Sequence, residues 1–175
     1  MYAVLNALRL THGIRTLKAR DVFNSTLMGL IKTPAVFKAV LDQTTDYIQL
    51  VDAMLENIKK QFPLEINRPF DGKAVPSVDQ LWSMCSNWLN NGDRGRAIIF
   101  RFLRNLKPND KPVNRHWTTA DKIDENILHL FDCSHEAEAI LNVRKDSFVT
   151  RQSEITQEKL LYIQPETIRF LRLPF

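Results

Sequence analysis

The feature that most constrains the fold is a change in the spacing of apolar residues halfway along the chain. In residues 1–92 apolar side chains recur at helical spacing, most regularly from Val36 to Ile58. In residues 93–175 they fall in short runs bounded by turn residues, such as Arg96–Arg104, which is typical of strands. Helices followed by antiparallel strands predict an α+β fold. We find no tract that resembles a linker, so we expect one domain over residues 1–175.

Apolar runs and the residues typical of helix ends predict where the individual helices lie. Tyr2–Leu10 is apolar almost all round, which predicts a buried helix. A second helix can run from Asp21 to about Lys32, and Thr33-Pro34 marks a new helix start. The helical pattern that follows is either one helix or two with a break near residues 43–45. Ser77-Val78-Asp79-Gln80 matches a capping box and predicts another helix after it.

The second half contains the predicted strands, and Phe62–Pro76 is expected to be a loop rich in Pro and Gly. The predicted strands are Arg96–Arg104, Trp117–Ile123, Ile127–Asp132, Glu138–Phe148, Leu160–Ile163 and Thr167–Leu173. The last two are separated by Pro165, which cannot donate a hydrogen bond to a neighbouring strand.

Composition excludes several classes of protein. Charged residues are 25% and hydrophobic residues 44% of the chain, a balance that supports a folded core and argues against disorder. No apolar run approaches the roughly 18–20 residues of a membrane span. Met1–Leu10 lacks the basic leader and cleavage site of a secretory signal, so we expect a cytoplasmic protein.

Charge and cysteine content narrow the choice further. The net charge is +4, but the basic residues are scattered and not interleaved with aromatic ones, so we do not expect a nucleic-acid partner. Cys85 and Cys133 could form a disulfide but do not make a disulfide framework. The four histidines lack finger-type spacing with these cysteines. We therefore expect neither a structural metal nor a cofactor.

The candidate catalytic residues lie in one predicted hairpin, where His116 opens the first strand and Asp132 closes the second. If the connecting loop has three residues, 124–126, Thr118 faces Asp132 and His116 lies diagonally beside it on the same face. Diagonal neighbours are about 7–8 Å apart, within reach of an imidazole and a carboxylate. A two-residue turn at Glu125-Asn126 would instead place the pair on opposite faces.

Such a pair has a recognised chemistry. A carboxylate that accepts a hydrogen bond from one imidazole nitrogen fixes the tautomer, so that the other nitrogen can act as a base. The alternative is a surface hairpin with unrelated polar residues. His129 is expected to face away from His116, and His135 belongs to the loop after the hairpin.

The run from Gly95 to Ser134 resembles the second half of bacterial papain-like cysteine peptidases, especially the double-glycine leader-peptidase-like group. The similarity rests on the strand Arg96–Arg104, on His116-Trp117 and on the strand that ends at Asp132. It implies a papain-like fold, a bacterial source, His116 as general base, Asp132 as its orienting partner and a peptide or protein substrate.

The family's nucleophilic cysteine lies at the N-terminus of a buried helix, which Met1–Leu10 resembles, yet no cysteine is present there. We expect the helix Tyr2–Leu10 to pack against the sheet with its N-terminus aimed toward His116. We expect such a cysteine to precede residue 1 in the native gene or to have been lost. Cys85 lies within an apolar helix, and Cys133 adjoins a carboxylate that raises a thiol pKa, so neither is a good substitute. The chain as given is therefore expected to be inactive.

Three functions remain open at this point. The first is a cysteine peptidase or amide hydrolase with a Cys-His-Asp triad. The second is a non-catalytic papain-like module that binds a partner, and the third is a helical protein-interaction domain with an unrelated sheet.

Overall fold

The computed structural model of the chain describes residues 2–13, 19–42, 47–91, 95–112, 114–131 and 142–174. Within these residues the first half is helical, as the apolar spacing predicts. The helices are α1 (Tyr2–Thr11), α2 (Ala19–Ile31), α3 (Pro34–Leu41), α4 (Tyr47–Lys59) and α5 (Val78–Leu89).

The described strands form a single sheet in the order β1-β7-β2-β3-β4-β5, with antiparallel neighbours, and β6 pairs in parallel with the start of β7. The strands are β1 (Glu65–Asn67), β2 (Arg96–Arg104), β3 (Asn114–Ile123), β4 (Ile127–Leu130), β5 (Asn142–Arg144), β6 (Phe148–Val149) and β7 (Leu161–Arg172). The chain is therefore an α+β protein.

The sheet carries a hydrophobic core on each face because alternate residues of β2 point to opposite sides. Ile98, Phe100 and Phe102 enter the α5-side core, where they meet Leu81, Trp82 and Cys85 of α5. Ala97 and Ile99 enter the α1-side core with residues of α1 and α4, including Val4, Leu8, Met54 and Leu55. Each predicted site residue can therefore be assigned to a face.

Helix α1 is buried and packs on the sheet, which confirms the prediction for Tyr2–Leu10. Ala3, Val4, Ala7 and Leu8 are all within the α1-side core. The buried hydroxyl of Thr119 on β3 donates to the carbonyl of Ala3 at 2.7 Å. The helix lies across the central strands of the sheet.

Helix α5 begins at the predicted capping box. The amide of Gln80 donates to Ser77 Oγ at 3.2 Å, and the amide of Ser77 donates to Gln80 Oε1 at 2.9 Å. These two bonds satisfy amides that the first turn leaves without partners. Trp82 then donates from Nε1 to the carbonyl of Glu125 at 3.1 Å, which ties α5 to the β3–β4 turn.

The structure differs from the sequence-based expectations in three places. The predicted loop Phe62–Pro76 contains the edge strand β1. The last two predicted strands are one strand, β7, whose pairing with β2 shifts around Pro165; there the amide of Arg101 donates to Thr167 Oγ1 at 2.9 Å. The predicted strand Glu138–Phe148 is divided between β5 and β6 by a 3₁₀ turn over Lys145–Ser147, and residues 138–141 lie outside the described residues.

Two further points concern the helices. The pattern from Val36 to Ile58 forms two helices, α3 and α4, and residues 43–46 between them lie outside the described part. None of the helices that the structure describes has the length and apolar character needed to cross a bilayer.

Candidate functional site

The β3–β4 hairpin has a two-residue turn. The amide of Asp124 donates to the carbonyl of Ile127 at 2.8 Å, and the amide of Ile127 donates to the carbonyl of Asp124 at 3.4 Å. Glu125 and Asn126 form the turn, and Ile123 pairs with Leu128. The three-residue loop that we considered is therefore wrong.

A β-bulge nevertheless restores the register that this loop would have produced. Lys122 pairs with His129, whereas Ala120 pairs with Leu130, so Asp121 is an extra residue in β3. Beyond it the amide of Phe131 donates to the carbonyl of Thr119 at 2.7 Å. Even-numbered residues of β3 therefore oppose even-numbered residues of β4 where β4 ends at Leu130.

Asp132, the second predicted catalytic residue, lies outside the described residues, as do Cys133 and His135. The pairing of Asp132 with His116 therefore stays a prediction. It now rests on the register at Leu130 and on the resemblance given above.

His116 lies directly opposite Phe102 on β2 and is half-buried. The two rings meet edge to face with centroids 5.6 Å apart. Because Phe102 belongs to the α5-side core, the His116 ring lies on that face of the sheet.

Helix α1 lies on the other face. Thr119 bonds to its first turn, and Trp117 packs against the α1-side core. The pairing of β3 with β2 runs without a shift from Asn114 to Ala120, so strand alternation separates His116 from both residues. The expectation that the N-terminus of this helix points at His116 is therefore wrong, because the sheet lies between them.

His129 lies in a surface cluster with Asp124 and Lys122. Its Nε2 lies 2.7 Å from Asp124 Oδ2, and Lys122 Nζ lies 2.9 Å from Asp124 Oδ1. Hydrogen bonds from Lys122 and His129 lower the pKa of Asp124. This cluster fixes the end of the hairpin. Among the residues that the structure describes, no three acidic, histidine or cysteine side chains could hold a metal ion together.

Cys85 is a free thiol in the α5-side core with 3% of its surface exposed. Burial raises its pKa to about 12, because the thiolate has no water or charged partner to stabilise it. A thiol in this state is a packing group and a poor nucleophile.

A cavity lies beside α5, and His116 is not among the described residues that line it. It has a volume of about 370 Å³. Trp88 stacks on Phe170 with centroids 5.0 Å apart, and the guanidinium carbons of Arg96 and Arg172 lie 4.8 and 5.9 Å from the Trp88 ring. Three amide side chains complete its wall, those of Asn67, Asn87 and Asn91.

Two neighbouring cavities extend this one in both directions. A cavity of about 530 Å³ shares Pro69 and Met84 with it and continues toward the start of α5. Another of about 300 Å³ shares Asn67, Trp88 and Arg172 with it and continues to Lys59. We call the three together the α5 cleft.

Sequence reasoning did not find the α5 cleft. The available signal was the spacing of Met84, Asn87 and Trp88 along one side of the predicted helix. The arginines come from β2 and β7, which are far apart in the chain and meet only through sheet pairing.

Known proteins give no independent assignment. Comparison of this chain with protein-family models, with curated proteins and with solved structures finds no match.

Proposed function

We propose that this domain binds an extended, acidic segment of a partner protein in the α5 cleft and does not cleave it. The observation that carries the proposal is the combination of a cationic end, a row of amides and an apolar floor in one continuous cleft. Such a lining suits a polypeptide with carboxylate side chains.

The cleft has the length of a short peptide. Its α5 wall runs from Gln80 to Trp88, which corresponds to about 12 Å at a rise of ~1.5 Å per residue. An extended chain advances about 3.3 Å per residue, so about four residues fit along this wall. Phe70 and Phe170 form the apolar floor, and Met84 lies between the two larger cavities.

The charge of the lining favours an acidic ligand. Lys59, Lys73, Arg96 and Arg172 line the cleft, and among the described lining residues the one acidic side chain is Glu65, which pairs with Arg172. Arg96 and Arg172 also lie directly opposite each other on neighbouring strands. A ligand carboxylate placed near the two guanidinium groups would accept charge-assisted hydrogen bonds.

The amides suit a peptide backbone. Each asparagine side chain offers both a donor and an acceptor, which a backbone carbonyl and amide can satisfy. Asn87 on α5 and Asn91 just beyond its end are exposed, whereas the nearby Asn90 already donates to the carbonyl of Ile123 at 3.1 Å. Asn87 and Asn91 therefore face the cleft with amides available to a ligand.

A negative charge introduced at position 87 should weaken the binding of acidic peptides, and a positive charge there should strengthen it. With fluorescent five-residue peptides rich in Asp and Glu, Asn87→Asp should weaken binding about tenfold and Asn87→Lys should strengthen it, because each adds one charge at the wall. Fluorescence anisotropy at low salt measures both. Asn109→Asp, in a loop away from α5, is the matched control and should leave binding unchanged. Equal binding of Asp-rich and Lys-rich peptides would contradict the proposal.

A second candidate is the papain-like cysteine hydrolase in which His116 is the base and Asp132 orients it. The even register of β3 and β4 at Leu130 supports it, since continued pairing would place residue 132 opposite Thr118. The position of α1 across the sheet from His116 counts against it.

Thiol labelling separates the two candidates. At neutral pH an iodoacetamide probe should leave Cys85 unmodified in the folded chain, because its pKa of about 12 keeps it protonated, and should label it after unfolding. If any cysteine reacts fast in the folded chain and loses that reactivity in His116→Ala, the hydrolase is supported. If labelling is slow and independent of His116 both in this chain and in a version extended upstream to any cysteine that the native gene encodes before residue 1, the non-catalytic module stands.

A further inference from the structure

We propose that a second site, on the α1 side of the sheet, binds an oxyanion through Arg101 and the indole N–H of Trp117. The site is a row of three residues on neighbouring strands: Arg101 of β2 lies directly opposite Trp117 of β3 on one side and Gln164 of β7 on the other. It does not overlap the α5 cleft, which lies on the opposite face.

The three tryptophans of the chain differ in how their indole N–H groups are satisfied. Trp82 donates to the carbonyl of Glu125 at 3.1 Å, and Trp88 donates to the carbonyl of Ala97 at 3.3 Å. Trp117 Nε1 is buried and has no hydrogen-bond partner within the described part of the chain. Burying an indole N–H without an acceptor is costly, so an acceptor from outside the chain is expected there.

Arg101 also lacks the kind of partner that a nearby arginine, Arg169, has. Arg169 of β7 lies opposite Ile99 of β2 on the same face of the sheet. It donates two hydrogen bonds, of 2.7 and 2.9 Å, to the carboxylate of Asp52. Arg101 is half-buried with its guanidinium carbon 5.8 Å from the Tyr47 ring, and no described carboxylate lies within ion-pair distance of it. An arginine and an unsatisfied indole N–H on directly opposite strand positions of one face present only donors and a positive charge, which is the complement of an oxyanion.

The side-chain oxygen of Gln164 indicates which kind of oxyanion would bind. Its Nε2 donates to Glu166 Oε1 at 3.2 Å, which leaves Oε1 as a buried acceptor without a donor among the described residues. A phosphate group that carries a hydroxyl proton can donate to this oxygen while its other oxygens accept from Arg101 and Trp117. A carboxylate has no such proton. Phosphate is therefore expected to bind more tightly than acetate.

The test follows the indole N–H resonances of the full chain by ¹H–¹⁵N NMR during titration with inorganic phosphate, sodium acetate and sodium chloride at constant ionic strength. Phosphate should move one of the three indole signals to a saturating limit. That signal should be the one lost in Trp117→Phe, which keeps an aromatic ring and removes the N–H. The Trp82 signal should stay in place, because its proton is already bonded. A shift of the Trp88 signal would report anion binding in the α5 cleft and not at this site.

Substitutions at the other two positions test the geometry. Arg101→Gln should weaken phosphate binding at least about tenfold, whereas Arg101→Lys, which keeps the charge, should weaken it less. Gln164→Leu should reduce the preference for phosphate over acetate. Equal responses to phosphate and chloride, or a Trp117 signal that no anion moves, would overturn the proposal, and the second result would mean that water satisfies the indole.

Discussion

Asp52→Ala should lower the free energy of unfolding by about 3–5 kcal/mol, because it leaves the guanidinium of Arg169 buried without its counter-charge. Arg169 is 3% exposed, and its Nε and Nη2 donate to the two Asp52 carboxylate oxygens at 2.7 and 2.9 Å. The remaining Nη1 donates to the carbonyls of Glu166 and Ile168, so the side chain cannot turn toward solvent without breaking these bonds. Urea unfolding followed by tryptophan fluorescence measures the loss.

Two variants make this prediction specific. Glu56→Ala removes a half-exposed carboxylate 3.0 Å from Arg68 and should cost less than about 1 kcal/mol, because water screens that pair. Arg169→Met combined with Asp52→Ala should recover much of the loss, since both charges are then absent. If the double variant is no more stable than Asp52→Ala alone, the cost does not come from an unpaired charge.

The elements that the sequence predicts well depend on neighbouring residues only. The capping box at Ser77 requires two side chains and two amides within the same turn, and the strand Arg96–Arg104 has the predicted bounds. Thr33-Pro34 likewise starts α3 at the expected residue. In each case the decisive contact lies within a few positions of the signal.

The register of the β3–β4 hairpin shows why other features could not be predicted. A two-residue turn alone would reverse the facing of every residue beyond it, and one bulge residue, Asp121, reverses it again. Neither event has a strong signature in the sequence, although together they give the even pairing that the three-residue loop would give. A correct pairing can therefore follow from an incorrect turn.

The candidate sites required knowledge of distant contacts. Strand alternation determines which residues of β3 share a face with His116. That α5 packs on this face and α1 on the opposite one depends on the whole sheet. The Arg169–Asp52 pair joins residues 117 positions apart. Residues of the α5 cleft come from β1, α5, β2 and β7, so no local pattern marks them as one site.

Phe102→Ala should also lower the free energy of unfolding by about 3–5 kcal/mol, the usual cost of emptying a phenylalanine site in a core. Phe102 is 1% exposed in the α5-side core. Its ring lies between those of Phe100 and His116, with centroids 6.4 and 5.6 Å away. Because it sits on the central strand β2, its neighbours belong to several elements and cannot all close the cavity. Urea unfolding again measures the effect.

Phe102→Leu separates the cavity from the loss of the aromatic ring. It keeps most of the volume and should cost less than about 1.5 kcal/mol. Leu106→Ala, at a position 60% exposed, should change the unfolding free energy by no more than about 0.5 kcal/mol. If Phe102→Ala costs as little as Leu106→Ala, the face of β2 that meets α5 is not packed. The placement of His116 on that face would then lose its support, because it depends on the contact between the two rings.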